Sequence, residues 1–298
     1  MPEGPEVRTM AEELNLLAGH RLYGVGWVEG TGSKILDALQ ALNRLVALRP
    51  VLGRVGARGK LLYFQFEFPT SKEDEIRYLS SNLGMSGGWS WTLPEKNVKC
   101  WLAFETPEGD SYRVVYYSDQ RNFGLMDFYA SPSDFDTRIK SSVGFDLLDH
   151  ALYLECWSIR PCSSDDHVWT RWCERLTSSK VARRPICVQL LTHQKEFAGI
   201  GNYLKCEILY RARVSPFRTL GSLSPEEVES IYRHALIEIV ESYRKGGLSF
   251  KSYRTVSGQK GVYVPQVYKR SITVDGEPVV HTRTKDGRNT YWVPALQS

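Results

Sequence analysis

The sequence predicts an α+β chain of two domains: a β-rich N-terminal domain that opens with a helix, and a helical C-terminal domain that ends in β structure. Three observations predict it. Val7, Met10, Ala11, Leu14 and Leu17 recur at helical spacing. Leu62, Phe64, Phe66 and Phe68 alternate with Tyr63, Gln65 and Glu67, the period of two of a half-buried strand. Ser224 with Glu227 three residues on makes a capping box, and Pro225 takes the favoured first position of a helix.

In chain order, the N-terminal helix leads into the alternating strand, and Cys100–Phe104 and Arg113–Tyr117 are further strand candidates. Glycine and proline punctuate this half, so residues 1–145 read as a sandwich or flattened barrel. From Ser141 to Ser164 the periodicity weakens. Pro161, Ser163, Ser164, Asp165 and Asp166 read as connector residues, which sets a link at 146–165. Residues 166–250 read as helical. The helix from Ser224 presents Val228, Ile231, Leu236, Ile239 and Tyr243 on one face and stops at Gly246-Gly247. Residues 251–298 return to β character at Val262–Val264, Val267–Tyr268, Val279–Val280 and Tyr291–Val293.

The 298 residues suffice for two domains. No apolar run approaches the ~20 residues of a membrane span. The first residues have neither the basic nor the apolar stretch of an export signal, so an intracellular, reducing compartment is expected. Cys100, Cys156, Cys162, Cys173, Cys187 and Cys206 form no C-x-x-C pair, which points to reduced structural thiols and away from a zinc ribbon. The net charge of +4 says little, but its distribution says more. From Arg244 to Ser298 ten Lys/Arg face three Asp/Glu. Such a tail is either a localised anion-binding face or a solvated basic surface.

Pro2 is a candidate nucleophile. Removal of Met1 exposes a secondary amine, and an α-amine has a pKa of about 8, so much of it is unprotonated near neutrality. It can attack carbon and form an iminium. Glu3 beside it is a candidate general acid and base. Glu6, one helical turn on, can face the same side. Acids in a first helical turn equally complement the helix dipole, so these residues alone leave both readings open.

The string Pro2-Glu3-Gly4-Pro5-Glu6-Val7 resembles the start of the formamidopyrimidine-DNA glycosylase / endonuclease VIII family. Further similarities follow in the family's order, to about residue 297. Arg58-Gly59-Lys60 resembles the site of a DNA-binding lysine. Leu83-Gly84-Met85-Ser86-Gly87 is similar to the loop that carries an intercalating residue, and Asp119-Gln120-Arg121-Asn122-Phe123-Gly124 to the loop that carries a wedge Arg and Phe. The run from Gln194 through Gly199-Ile200-Gly201-Asn202 to Glu207 resembles the helix–two-turns–helix motif, and Asp286 to Pro294 the tip of the C-terminal β-hairpin finger.

The resemblance implies a β-sandwich, a helix–two-turns–helix domain and a finger. It implies a glycosylase and AP lyase of base excision repair that acts as a monomer on double-stranded DNA containing oxidised bases or abasic sites, without a cofactor. Pro2, Glu3, Glu6 and Lys60 are then catalytic. Lys60, Asn202 and Arg288 bind phosphates, and Met85, Arg121 and Phe123 fill the space left by a flipped base. Most members hold the finger with four cysteines on zinc. Here the second expected pair reads Val293-Pro294-Ala295-Leu296 and the first, near Val274–Pro278, has no cysteine. The chain thus resembles the zincless branch, with no metal and a finger held by Val279, Tyr291, Trp292 and Val293. Asn82 and His193 depart from residues common among relatives. The Pro2–Val7 string suggests oxidised pyrimidines, while the length of Ser249–Tyr263, the expected loop over the base, leaves room for formamidopyrimidines or oxidised purines. A non-catalytic damaged-DNA-binding protein on the same scaffold is the alternative, and a distant one is an RNA-binding protein.

Overall fold

A computed structural model of the chain describes residues 2–69, 75–192, 194–249, 254–284 and 287–298. The chain divides into two compact units. The first comprises Met1–Ser142 and Gly246–Val262, the second Val143–Lys245 and Tyr263–Ser298.

The first unit opens with helix α1 (Gly4–Leu14), whose Val7, Met10, Ala11 and Leu14 are buried, as their helical spacing predicts. Eight strands follow: β1 (Arg21–Trp27), β2 (Val51–Arg58), β3 (Leu61–Phe68), β4 (Glu75–Asn82), β5 (Gly87–Ser90), β6 (Val98–Glu105), β7 (Tyr112–Asp119) and β8 (Leu125–Tyr129). Helix α2 (Ser33–Asn43) lies between β1 and β2, and α3 (Pro132–Ser142) follows β8. The strands run antiparallel in the order β5-β7-β6-β1-β2-β3-β4-β8. β1 and β2 meet at one residue pair, Arg21↔Val51, so the sheet folds there into two four-stranded layers. Phe64 of one layer meets Trp89 of the other edge-on at 5.2 Å, and Trp89 Nε1 donates to Ser81 Oγ at 3.2 Å. The result is a β-sandwich. The alternation in β3 is what fills it: Leu62, Phe64, Phe66 and Phe68 are fully buried, each worth about 1.5–3 kcal/mol relative to exposure.

Residues 246–262 return to this unit and are tied into it. Val256 enters the same core, and its carbonyl accepts from Trp91 N at 3.1 Å. The Glu13 carboxylate on α1 accepts from Ser257 N at 2.7 Å and Ser257 Oγ at 3.0 Å.

The second unit is mainly helical: α4 (Leu147–Cys156), α5 (His167–Leu176), α6 (Ile186–Thr192), α7 (Asn202–Arg211) and α8 (Pro225–Arg244). Strand β9 (Phe145–Asp146) pairs in parallel with β10 (Phe197–Ala198), and β11 (Val280–Arg283) with β12 (Asn289–Trp292) forms an antiparallel hairpin. The Ser224/Glu227 box caps α8, and Gly246 and Gly247 follow its end at positive φ.

The domain limits differ from those read in the sequence. The expected connector, 146–165, holds α4 and belongs to the second unit, while 246–262, divided in the sequence reading between the helical and final segments, belongs to the first. The reason is capping. The carboxylate of Asp146 accepts from Leu148 N and Asp149 N, and that of Asp166 from Val168 N and Trp169 N, so two residues that read as loop start helices. Val262–Val264 and Val267–Tyr268 are also not among the strands. The backbone N–H groups of Gln266, Val267 and Tyr268 donate instead to the Glu207 carboxylate, at 2.6 to 3.1 Å.

Candidate active site

Pro2 lies two residues before α1, and Glu3 between them is the residue that caps that helix. Glu3 N donates to Glu6 Oε2 at 2.8 Å, and Val7 N to Glu3 O at 3.0 Å, so the first turn is fixed from its first residue. Glu3 and Glu6 are 2% and 1% exposed. Pro2 is half-buried on the wall of a pocket of about 260 Å³, together with Met10, Gly87, Trp89, Ser118, Arg254 and Thr255.

Glu6 is engaged within the protein at both oxygens. Its other oxygen, Oε1, accepts from Leu248 N at 2.9 Å. Gly247 beside it has φ +87°, and a Cβ there would lie 2.7 Å from Glu6 Cγ. Only glycine lets the backbone pass so close to the carboxylate. Glu6 thus caps its own helix with one oxygen and ties that helix to Leu248 with the other.

The three wedge candidates come together. Met85 lies on the β4–β5 loop, Arg121 and Phe123 on the β7–β8 loop, and Arg121 Nη1 lies 3.8 Å from Met85 Sδ. Phe123 is 57% exposed. Buried Asp119 braces both loops: its carboxylate accepts from Ser86 Oγ at 2.5 Å, Arg121 N at 3.1 Å and Gly124 N at 2.7 Å. Gly84, at φ +58°, lets the loops touch, since a Cβ there would lie 2.6 Å from the Phe123 carbonyl carbon. Ser86 and Gly87 also line the Pro2 pocket, so the loop that carries Met85 and the N-terminal Pro2 share a wall. Lys60 sits half-buried at the β2–β3 turn, which the pair Arg58↔Leu61 closes.

In the second unit, Gln194 Nε2 donates to Ile200 O at 2.7 Å and Gln194 Oε1 accepts from Gly199 N at 3.2 Å, which shapes the turn ahead of α7. Asn202 opens α7. Its Nδ2 donates to Asn289 O at 3.0 Å, so the amide is committed to the hairpin, and its buried Oδ1 has no hydrogen-bond partner among the described residues. Arg288 is half-buried, and its carbonyl accepts from Thr284 N and Thr284 Oγ1. The readings placed on His193 and Asp286 lie outside the described residues, as do residues 250–253 of the expected loop.

Among the described residues no group of three His, Cys, Asp or Glu is placed to hold a metal ion, and the hairpin does not fit the zinc of a four-cysteine finger. It is held by α7 instead. Lys205 Nζ, fully buried, donates to Thr290 Oγ1 at 2.7 Å, and Tyr291 N donates to Cys206 Sγ at 3.4 Å. Cys206, Val267 and Val293 form a small core against Val279 and Tyr291. Fully buried Glu207 completes the arrangement, with burial pushing its carboxyl up to about 7 against the pull of its three backbone donors. Lys205 and Arg254 escaped the sequence reading. Lys205 looks like any helical lysine, and Arg254 was one of ten charges in a basic tail.

Residues 1–126 match the family described as formamidopyrimidine-DNA glycosylase N-terminal domain. Over its whole length the chain is 29% identical to the formamidopyrimidine-DNA glycosylase of Thermus thermophilus, across 98% of that protein. It is 26% identical to that of an Exiguobacterium species, across 99%. The crystal structure of the Thermus thermophilus protein superimposes with a TM-score of 0.76 at 28% identity, covering 99% of this chain and 98% of that one. A Lactococcus lactis structure, solved with DNA containing an abasic site, shares the fold with a TM-score of 0.78 at 20% identity, covering 99% of each chain. The chain is thus similar to formamidopyrimidine-DNA glycosylases over nearly their full length, and its residues 1–126 match that family's N-terminal domain.

Proposed function

We propose that this chain is a bifunctional DNA glycosylase and AP lyase that removes oxidised bases through a Schiff base on Pro2 and then cuts the strand by β,δ-elimination. The observation that carries this is the position of Pro2: half-buried on a pocket wall, with the buried Glu3 next to it and its helix pinned by Glu6. A base stacked in a duplex is out of reach, so it must be flipped out at a cost of a few kcal/mol. Met85, Arg121 and Phe123, on loops braced by Asp119, fill the vacated space. Lys60, Asn202 and Arg288 contact the phosphates, which positions the duplex without reading its sequence. Asn202 does so with its backbone at the start of α7, since its amide already serves the hairpin.

The Pro2 lone pair attacks C1′, the glycosidic bond breaks, and the base leaves with a proton. The sugar ring opens as O4′ takes a proton and the iminium forms. The iminium acidifies the C2′ proton, whose removal expels the 3′ phosphate. A second elimination expels the 5′ phosphate, and water then releases the sugar remnant from Pro2. Glu3 carries the proton transfers, and Glu6 acts as a positioning residue. Oxidised pyrimidines and formamidopyrimidines are the substrates we favour.

Borohydride should trap the protein covalently on a duplex containing an abasic site, and intact mass should show Met1 removed. Trapping that persists undiminished in Pro2→Gly, or in protein that retains Met1, would falsify the role of Pro2.

A further inference from the structure

Tyr117 buries a hydroxyl for which this arrangement of the loops has no use. The residue lies on β7, paired across the sheet with Trp89 and Cys100, and its ring packs in the sandwich core against Trp89 at 5.2 Å. The side chain is fully buried, and its Oη has no hydrogen-bond partner among the described residues. Burial, and after it the charge of Asp119, push the phenol pKa up, so the hydroxyl keeps its proton and remains a donor. A buried donor without an acceptor is unfavourable, and phenylalanine would fill the same space without that penalty.

The position of the hydroxyl gives it a use. It reaches the joint of the two loops that carry Met85, Arg121 and Phe123. A Cβ at Gly87, where the Met85 loop ends, would overlap Tyr117 Oη, and so would a Cβ at Gly124, next to Phe123. Glycine at both positions lets the two loops close over the phenol. The same Cβ at Gly124 would lie 3.1 Å from Asp119 Oδ2, so hydroxyl and carboxylate crowd one residue. Asp119 Oδ1 is shared by Ser86 Oγ and Arg121 N, whereas Oδ2 accepts from Gly124 N alone among the described residues, at 2.7 Å. A carboxylate oxygen has room for a second donor. Phe123 is exposed and adjoins Gly124, so a base step that pushes on its ring pulls first on the Gly124 N–H.

Insertion between stacked bases shifts the Phe123 loop, and a shifted Gly124 leaves Asp119 Oδ2 buried without its donor, which is costly for a charged group. Tyr117 Oη is the donor at hand. We propose that Tyr117 is a positioning residue for filling the space left by an extruded base: its hydroxyl replaces Gly124 N on Asp119 when the Phe123 loop moves, and so keeps the two loops joined while the wedge is in the duplex. This rests on the reading of Met85, Arg121 and Phe123 as the wedge.

Tyr117→Phe removes the hydroxyl and leaves the ring. In a duplex with 2-aminopurine opposite an abasic analogue, the change in its fluorescence on mixing with protein reports wedge insertion. Tyr117→Phe should insert about tenfold more slowly than wild type, the effect of one lost hydrogen bond to a buried charge. Its urea midpoint should equal or exceed that of wild type, because an unpaired hydroxyl has been removed. Borohydride trapping on a single abasic strand, which has no space to fill, should be unchanged. Slower insertion at undiminished stability is a combination that a loosened core does not produce. Insertion as fast as in wild type would overturn the role of Tyr117. So would a lower urea midpoint, since the hydroxyl would then be bonded without DNA, or a loss of trapping on the single strand as large as the loss of insertion on the duplex. If wild type gives no insertion signal, or Phe123→Ala inserts as well as wild type, the wedge reading fails first and takes this one with it. If wild type inserts, Phe123→Ala does not, and Tyr117→Phe matches wild type, Tyr117 alone is refuted.

Discussion

Glu207 shows how one buried group sets a dependence on pH. It is fully buried on α7, accepts three backbone N–H bonds from Gln266, Val267 and Tyr268, and burial pushes its carboxyl up to about 7 from an ordinary 4.5. A raised folded-state value means the folded protein holds the proton more tightly than the unfolded chain does. The stabilising contribution is therefore full below about 4.5 and lost as pH rises through about 7. Urea unfolding of the wild type between pH 5 and 7 should show stability falling with a slope of up to about 1.4 kcal/mol per pH unit from this group. Glu207→Gln removes the titration and should flatten that part of the profile. An unchanged slope in the variant assigns the dependence elsewhere, with Glu238, also raised by burial, as the next group to replace. Sequence alone placed Glu207 in a motif but could not show its three donors, because they arrive from a segment about 60 residues away.

Helix α7 and the β11–β12 hairpin are joined by side-chain contacts. Asn202, Lys205 and Cys206 lie on one face of the helix, at i, i+3 and i+4, and meet Asn289, Thr290 and Tyr291 in succession. The sequence pattern foresaw apolar packing of the hairpin, and Val279, Tyr291 and Val293 do pack. It did not foresee the buried ammonium, since nothing local distinguishes Lys205 from a solvated lysine. Elements with strong local signals were the legible ones: the amphipathic α1, the alternating β3 and the capped α8. The connector failed as a reading because Asp146 and Asp166 cap helices, and a capping aspartate looks like a loop aspartate until the helix beyond it is seen. The Lys205–Thr290 contact has a direct test. Thr290→Val removes a partner from a buried ammonium and should destabilise the protein by about 1–3 kcal/mol in chemical denaturation. Lys205→Met with Thr290→Val replaces both polar partners by apolar groups of similar shape and should recover most of that loss. A double substitution as unstable as the sum of the single ones would show that the two residues do not act together.

The residues given roles in the proposed function fall in both units. The first holds Pro2, Glu3, Met85, Arg121, Phe123 and Lys60, and the second holds Asn202 and Arg288. A chain of only +4 has little long-range pull on a polyanion, so its affinity for DNA must come from local cations within each unit. Counterion release makes that countable. Each phosphate neutralised by a cation contributes about −0.9 to the slope of log K against log salt. Lys60→Ala and Arg288→Ala should each make the slope shallower by about that amount, and the double substitution by about twice as much, measured on an abasic-analogue duplex across a salt series. Asn202→Ala provides the contrast. Its amide is neutral and serves the hairpin, so its loss should weaken binding while leaving the slope in place. Additive slope changes mean that both units engage the same duplex at once. A slope that responds to Arg288 and not to Lys60 would confine DNA binding to the second unit, and Lys60 would then have to be judged at the chemical step, by its effect on trapping at Pro2.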